Sequence, residues 1–396
     1  MKMKETRKNG SGGILFILPV LGQPRHAKRI EMLAKVGFRT EAVAFDRKYH
    51  RGRTPGCPVY ILGKVSHGNY VQRFFRIVSG IPRLRKRVRR SEIIYAFGPD
   101  MVFLAHCAAF GLGKGVVLEV GDIREAQVEN GLSGRLLRFF EKLVTERCCF
   151  LVVTAQGFIE HYYRKMLKSK VDIVLIENKL DFALRHISDE VSTLDSAEQF
   201  KGRPIRIGYF GLLRCAWSLV VLDALARSKP QDVEIIVAGY FMDQTDIVTR
   251  FLALPNVFYR GEYRSTPGEL EKLYSGADII WAANPYFGAS MNPWVFLLKR
   301  TNRFYESCFF RRPMITFEGT GDSAEVLKYG LGFAVEDESV NELVDFIYNE
   351  VRENLGVWQR NIASIPETVF LYTSEADELK SKMVACVDQE SRRRTY

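Results

Sequence analysis

Asn302 and Glu306 lie four apart within Thr301 to Phe317, TNRFYESCFFRRPMITF, a stretch patterned as a polar helix start, a short amphipathic helix and a buried strand. On a helix the two side chains share one face near the positive N-terminal end. Backbone N–H groups at such a start can hold a diphosphate, and a carboxylate one turn in can accept hydrogen bonds from two ribose hydroxyls. That is the equipment a sugar nucleotide needs. An N-cap followed by a solvated Glu would use the same residue types, so the surrounding elements must decide. A second charged group, Glu119, Asp122 and Arg124, closes the apolar run GVVLEVGD (Gly115 to Asp122). Carboxylates at the carboxyl end of a buried strand stand where an α/β domain places its chemistry, and general base is the role they suit. The structural alternative is a helix cap and a surface pair.

The elements that must position these groups follow from periodicity. ILFILPV, the loop Leu21 to Pro24, RHAKRIEMLAKVG and a strand at Glu41 to Phe45 make a β-loop-α-β unit, with Gly37 as the helix stop and His26 at the helix opening. IIYAF, GVVLEVGD, FLVVT and DIVLIEN continue as strands with helices between them. GLGKG at Gly111 to Gly115 precedes a strand and lacks phosphate-loop spacing, so it reads as a turn. From Lys179 to Arg203 the pattern becomes polar and aperiodic, which marks a linker. IRIGYFG and VEIIVAGY then restart the same grammar, each strand ending in Gly, and TPGEL opens a helix with a capping box from Thr266 and Glu269. Alternating strand and helix in both halves predicts an α/β protein of two doubly wound, Rossmann-like domains facing a central cleft. We place the domains at 1–190 and 200–365, with a helical tail, 366–396, crossing back to the first domain.

The chain has 396 residues, 47% of them hydrophobic, and Lys+Arg exceed Asp+Glu by 57 to 46 for a net charge of +11. Such a balance favours anionic partners. Seven Cys with no CxxC pair suggest free thiols in a reducing compartment. The apolar run Ile14 to Leu21 is too short to span a bilayer and reads as a first core strand, so the expected location is the cytoplasm. In Tyr70 to Arg90, YVQRFFRIVSGIPRLRKRVRR, Phe74 and Phe75 fall on one helical face amid Arg73 and Arg76, and Arg83, Arg85, Lys86 and Arg87 follow. Aromatics among clustered cations suit an anionic membrane surface. A packed helix with a solvated basic face, or RNA binding, would use the same residues; no single-strand-binding motif accompanies them.

The succession IGYFGLLR, VEIIVAG, NVFYRGEY, ELEKLYSGADI and NRFYESCFFRRPMIT resembles the donor-binding half of GT-B glycosyltransferases, in particular group 1 (family 4), and is closest in flavour to bacterial exopolysaccharide (succinoglycan-type) members. GILFILPVLGQPRHAKRI, LVVTAQGF and VLIENK are similar to their acceptor-side domain. The resemblance implies that Glu306 binds the nucleotide ribose and that Asn302 and Arg303 stand beside the diphosphate. It further implies that Gly211 lets backbone approach the donor and that Arg214 clamps the phosphates. It implies a hexosyltransferase using a nucleotide sugar, UDP-linked by expectation, and a lipid-linked saccharide acceptor in bacterial polysaccharide synthesis. No metal or other cofactor is expected, nucleic acid is not an expected partner, and the protein would sit peripherally at the inner face of the cell membrane. The chain also departs from the pattern: Leu298 stands where a first carboxylate is usual, Trp217 where many relatives carry Lys, and Gly121 where a His often precedes the Asp. An inverting reaction would then need a base, Asp122 first and Glu119 second. A non-catalytic nucleotide-sugar-binding or scaffolding relative, or an RNA-binding protein, are the alternatives.

Overall fold

The computed structural model describes residues 11–46, 54–64, 80–181, 202–242, 246–263, 265–285 and 299–393. The chain separates into two compact units, Met1–Glu177 with Ser374–Tyr396, and Asn178–Thr373. Most of the linker expected at 179–203 lies outside the described residues.

In the first unit the order is β1 (Ser11–Leu18), α1 (Pro24–Lys35), β2 (Phe38–Asp46), β3 (Val59–Lys64), a helix described over 80–88 (α2), β4 (Ile93–Phe97), α3 (Pro99–Ala109), β5 (Gly115–Val120), α4 (Glu125–Val128), α5 (Leu132–Thr145), β6 (Phe150–Val153), a π-helical segment α6 (Phe158–Met166) and β7 (Ile173–Leu175). The seven strands are all parallel in the order β3-β2-β1-β4-β5-β6-β7. Parallel strands are covered on both faces, and β1 accordingly buries every residue from Ile14 to Leu18. On one side of this sheet the rings of Phe16, Tyr95 and Phe97 pack with centroids 5.2 and 5.4 Å apart. Between α5 and α6 a polar knot is buried. Glu141 accepts hydrogen bonds from Gln127 Nε2 (2.5 Å), Tyr162 (2.5 Å) and Tyr163 (3.0 Å).

The last helix of the chain, α13 (Glu375–Arg393), also belongs to this unit and packs on α1, β4 and β5 through buried Leu379, Met383 and Cys386. A disulfide joins Cys386 to Cys149, across 237 residues of sequence. The expectation of seven thiols is corrected for these two, and Cys57, Cys107, Cys148, Cys215 and Cys308 are free. Parity and local spacing cannot reveal a pair made between residues 237 apart in sequence.

The second unit contains β8 (Ile205–Leu213), α7 (Ala216–Ser228), β9 (Val233–Phe241), α8 (Asp246–Leu252), β10 (Val257–Tyr259), α9 (Pro267–Ser275), β11 (Ile279–Trp281), α10 (Asn302–Phe309), β12 (Met314–Phe317), α11 (Gly321–Tyr329), β13 (Gly332–Val335) and α12 (Val340–Ser364). Its six parallel strands run in the order β10-β9-β8-β11-β12-β13. α9 begins with the expected capping box: the Thr266 hydroxyl donates to Glu269 Oε2 at 2.8 Å. In both sheets the strand order reverses once, between β1 and β4 and between β8 and β11. Ligands of doubly wound folds bind beyond the carboxyl ends of strands at such a reversal.

Candidate nucleotide-binding site

Gly211 of β8 and Gly239 of β9 are register partners at the carboxyl ends of their strands, with φ of +109° and +129°. A Cβ on Gly239 would lie 1.8 Å from the carbonyl oxygen of Gly211, so the two backbones meet at a distance no side chain permits. Into this corner comes the first turn of α10. Arg303 donates from Nε to the carbonyl of Phe210 (2.6 Å), and its guanidinium carbon stands 5.5 Å from the Tyr209 ring centroid. The helix that follows the reversal point is thereby fixed to the end of β8, with a cation beside the glycine.

One turn on, Glu306 is 5% exposed and accepts a hydrogen bond from the Tyr274 hydroxyl at Oε2 (2.8 Å). Burial, and next the negative charge of Glu306, push the hydroxyls of Tyr274 and Tyr263 well above the usual phenol range. Both therefore stay protonated beside the carboxylate. A carboxylate held this deep needs donors, and Tyr274 is one.

The N-terminus of α10 is held by a residue that sequence reasoning missed. Asp322, 2% exposed in the first turn of α11, accepts from the backbone N (2.8 Å) and the hydroxyl (2.7 Å) of Thr301. Burial raises its pKa, opposed by those two bonds and by Arg303 and Arg300. Because the Thr301 hydroxyl is turned to Asp322, it makes no side-chain cap on the first-turn amides of α10. Phe304 N donates to the Thr301 carbonyl (3.2 Å), and the amides of Asn302 and Arg303 ahead of it are left for another acceptor. The only local hint was an acidic residue opening α11 in TGDSAE.

The structure thus gathers Gly211, Arg303 and Glu306, with Asn302 exposed at the head of the same helix. Arg214 is exposed just beyond β8, before the Cys215 that accepts from Ser218 N as the α7 N-cap. Trp217, which replaces a cation of the resembled pattern, is absorbed into packing against Trp281 (6.1 Å) and Phe317 (5.4 Å). Leu298 and most of the loop from Asn284 to Trp294 lie outside the described residues.

In the first unit, Glu119 and Asp122 are brought close in sequence but not in environment. Glu119 is 0% exposed, pairs with Arg29 Nε at 2.9 Å and accepts from Tyr95, with Arg25 at 3.9 Å. Asp122 is exposed in the turn between β5 and α4. His26, expected at a helix opening, is buried against Phe97 with ring centroids 4.1 Å apart. Of the basic stretch, Phe74 and Phe75 lie outside the described residues, while Arg83 and Lys86 are exposed on α2. Arg85 is spent on the carbonyls of Ala108 and Phe110, and Arg87 on Glu41 and the Tyr60 ring. Among the described residues no helix is long and apolar enough to cross a membrane.

Two parallel, doubly wound units with this site define the class: the fold is that of the GT-B glycosyltransferases. Within it, the chain is 26% identical over 342 residues to the succinoglycan biosynthesis protein ExoL of Rhizobium meliloti (strain 1021), covering 83% of this chain and 82% of that protein, so the exopolysaccharide flavour of the sequence is matched by a relative. Among solved structures it is similar to Anabaena Alr3699/HepE in complex with UDP and glucose, with a TM-score of 0.65, 17% identity and coverage of 94% of this chain and all (100%) of that one. It is also similar to WaaG, a glycosyltransferase involved in lipopolysaccharide biosynthesis, with a TM-score of 0.60, 12% identity and coverage of 93% and 98%. No family model matches the chain.

Proposed function

We propose that the protein is a glycosyltransferase that moves a hexose from a UDP-linked donor to a lipid-linked saccharide during the assembly of a bacterial polysaccharide, working at the cytoplasmic face of the membrane. The observation that carries the donor half is Glu306, buried one turn inside a helix whose uncapped N-terminus meets the Gly211 and Gly239 corner. The carboxylate receives the ribose hydroxyls, and the α10 amides with Arg303 receive the diphosphate. As the bond from the sugar's anomeric carbon to the diphosphate oxygen breaks, negative charge builds on the leaving group, where these donors stabilise it. Arg214 supplies a second cation from the turn after β8. The acceptor oxygen forms the new bond and gives its proton to Asp122 as base. Asp122 is preferred over Glu119, whose carboxylate is sequestered by Arg29. No metal is needed in this scheme. The UDP complex of Alr3699/HepE and the ExoL relationship support the donor and pathway parts of this reading.

The test is thermal denaturation with and without UDP. Wild type is expected to gain stability on saturation and Glu306→Ala to gain none, while Glu306→Gln, which still accepts from Tyr274, separates loss of ligand from loss of fold. An undiminished shift in Glu306→Ala would sink the assignment.

A further inference from the structure

Helix α5 is built inside out. Gly134, Glu141 and Thr145 face the interior with Val144, while Leu132, Leu136, Phe139 and Leu143 are 75, 61, 68 and 45% exposed. Those four recur at helical spacing and form one stripe. Gly134 is in place because a Cβ there would lie 2.2 Å from the Glu129 carbonyl oxygen, so the inward orientation of the polar face is fixed by packing. The only carboxylate of the helix is Glu141, and it is locked inward by Gln127, Tyr162 and Tyr163. Along α5 the outward side chains are therefore apolar, neutral or cationic, with Arg135 exposed and Lys142 half-buried beside the stripe. Glu146 stands past the helix end and accepts from the backbone of Lys170.

The apolar surface continues beyond the helix. Phe140 packs on Phe103 of α3 (5.4 Å), and Phe110, 82% exposed at the end of α3, lines one open cavity of about 790 Å³ together with Phe140 and Leu143. Arg85 of α2 donates to the Phe110 carbonyl at 2.7 Å, which places the exposed Arg83 and Lys86 on the adjoining helix.

We infer that α5 with the Phe110 turn is the surface on which the protein docks on an anionic lipid bilayer, the Leu and Phe stripe entering the headgroup boundary and the cations meeting lipid phosphates. Glu129 and Glu146 flank the two ends of the stripe and Glu390 lines the cavity, but Arg135, Lys142, Arg147, Arg83 and Lys86 outnumber them, and a net-positive rim fits an anionic interface. A second copy of the chain fits it worse, since a two-fold contact would set Arg135 and Lys142 against their own counterparts. This assigns lipid docking to a helix other than the aromatic stretch at Phe74 and Phe75, and it does not depend on the donor site.

Co-sedimentation of the full chain with vesicles of phosphatidylcholine, with or without phosphatidylglycerol, tests it. Wild type should bind the phosphatidylglycerol vesicles, and Leu136→Glu with Phe139→Glu should bind at least about tenfold more weakly. The double variant should keep its circular dichroism melt and its UDP shift, so failure here is distinguishable from failure of the donor site. A Phe139→Trp variant should gain quenching by brominated acyl chains over that of the 4 native Trp. Absence of wild-type binding, equal binding by the double variant, or a wild-type dimer that the double variant dissolves with no change at vesicles would overturn the proposal.

Discussion

Glu119 is fully buried against Arg29, and Asp122, three residues further on, is exposed in a turn. Substituting the first should strand a buried guanidinium, since Arg29 is 2% exposed; Glu119→Gln is expected to lower stability by about 3–5 kcal/mol. Asp122→Asn should leave the unfolding free energy within about 0.5 kcal/mol of wild type and lose transfer to acceptor. Chemical denaturation beside a transfer assay checks both, and a stable, inactive Glu119→Gln would exchange their roles. Sequence placed both carboxylates at the end of β5 and ranked Asp122 first, but it could not show that Glu119 is sequestered, because Arg29 lies 90 residues away in α1. For Glu306, residue type and helical spacing were readable. Its partner Tyr274 is 32 residues distant and Asp322 stands 21 from Thr301, so neither was visible until the chain folded.

At the level of elements, α5 shows what periodicity conveys and what it withholds. RLLRFFEKLVT announces a helix with an apolar side, yet nothing local says that this side points outward. That is decided by Gly134, which lets the polar face approach the backbone near Glu129, and by the three donors gathered on Glu141. Burial raises the pKa of Glu141 above the ordinary carboxylate value, with the three hydrogen bonds opposing. The native state therefore holds this proton to higher pH than the unfolded chain does. Stability should be greatest below the ordinary value and should fall as pH rises through the raised native value, after which the loss is constant. Glu141→Gln should abolish that slope while lowering stability overall, because its amide presents donors to donors. Urea midpoints of both proteins between about pH 4 and 7 decide it; parallel profiles would show that Glu141 does not titrate there. Elsewhere the match of pattern to element was closer: Gly37 follows the end of α1 and Thr266 with Glu269 forms its capping box, while β8 runs two residues past Gly211, to Leu213.

The whole molecule repeats one doubly wound plan twice, and that plan was legible because strand and helix patterns alternate through both halves. The place where the chain leaves the second unit was less so. Sequence set the tail apart from residue 366, but Phe370 and Leu371 are buried in the second unit, where Leu371 bridges Leu180, and the first unit resumes at Ser374. Deleting Ser374–Tyr396 removes Leu379 and Met383 from the first unit, at roughly 1.5–3 kcal/mol for each buried side chain. A truncated protein is expected to lose the melting transition of the first unit and keep the UDP response of the second; calorimetry with and without UDP would register both. The same arrangement bears on how the protein is made. The ribosome delivers the first unit's sheet before the second unit and its covering helix α13 after it, so the seat of α13 on β4 and β5 stays empty while the entire second unit is synthesised. The nascent chain therefore has a window in which Leu379's future seat must be shielded by something else, and it closes only when α13 itself has emerged.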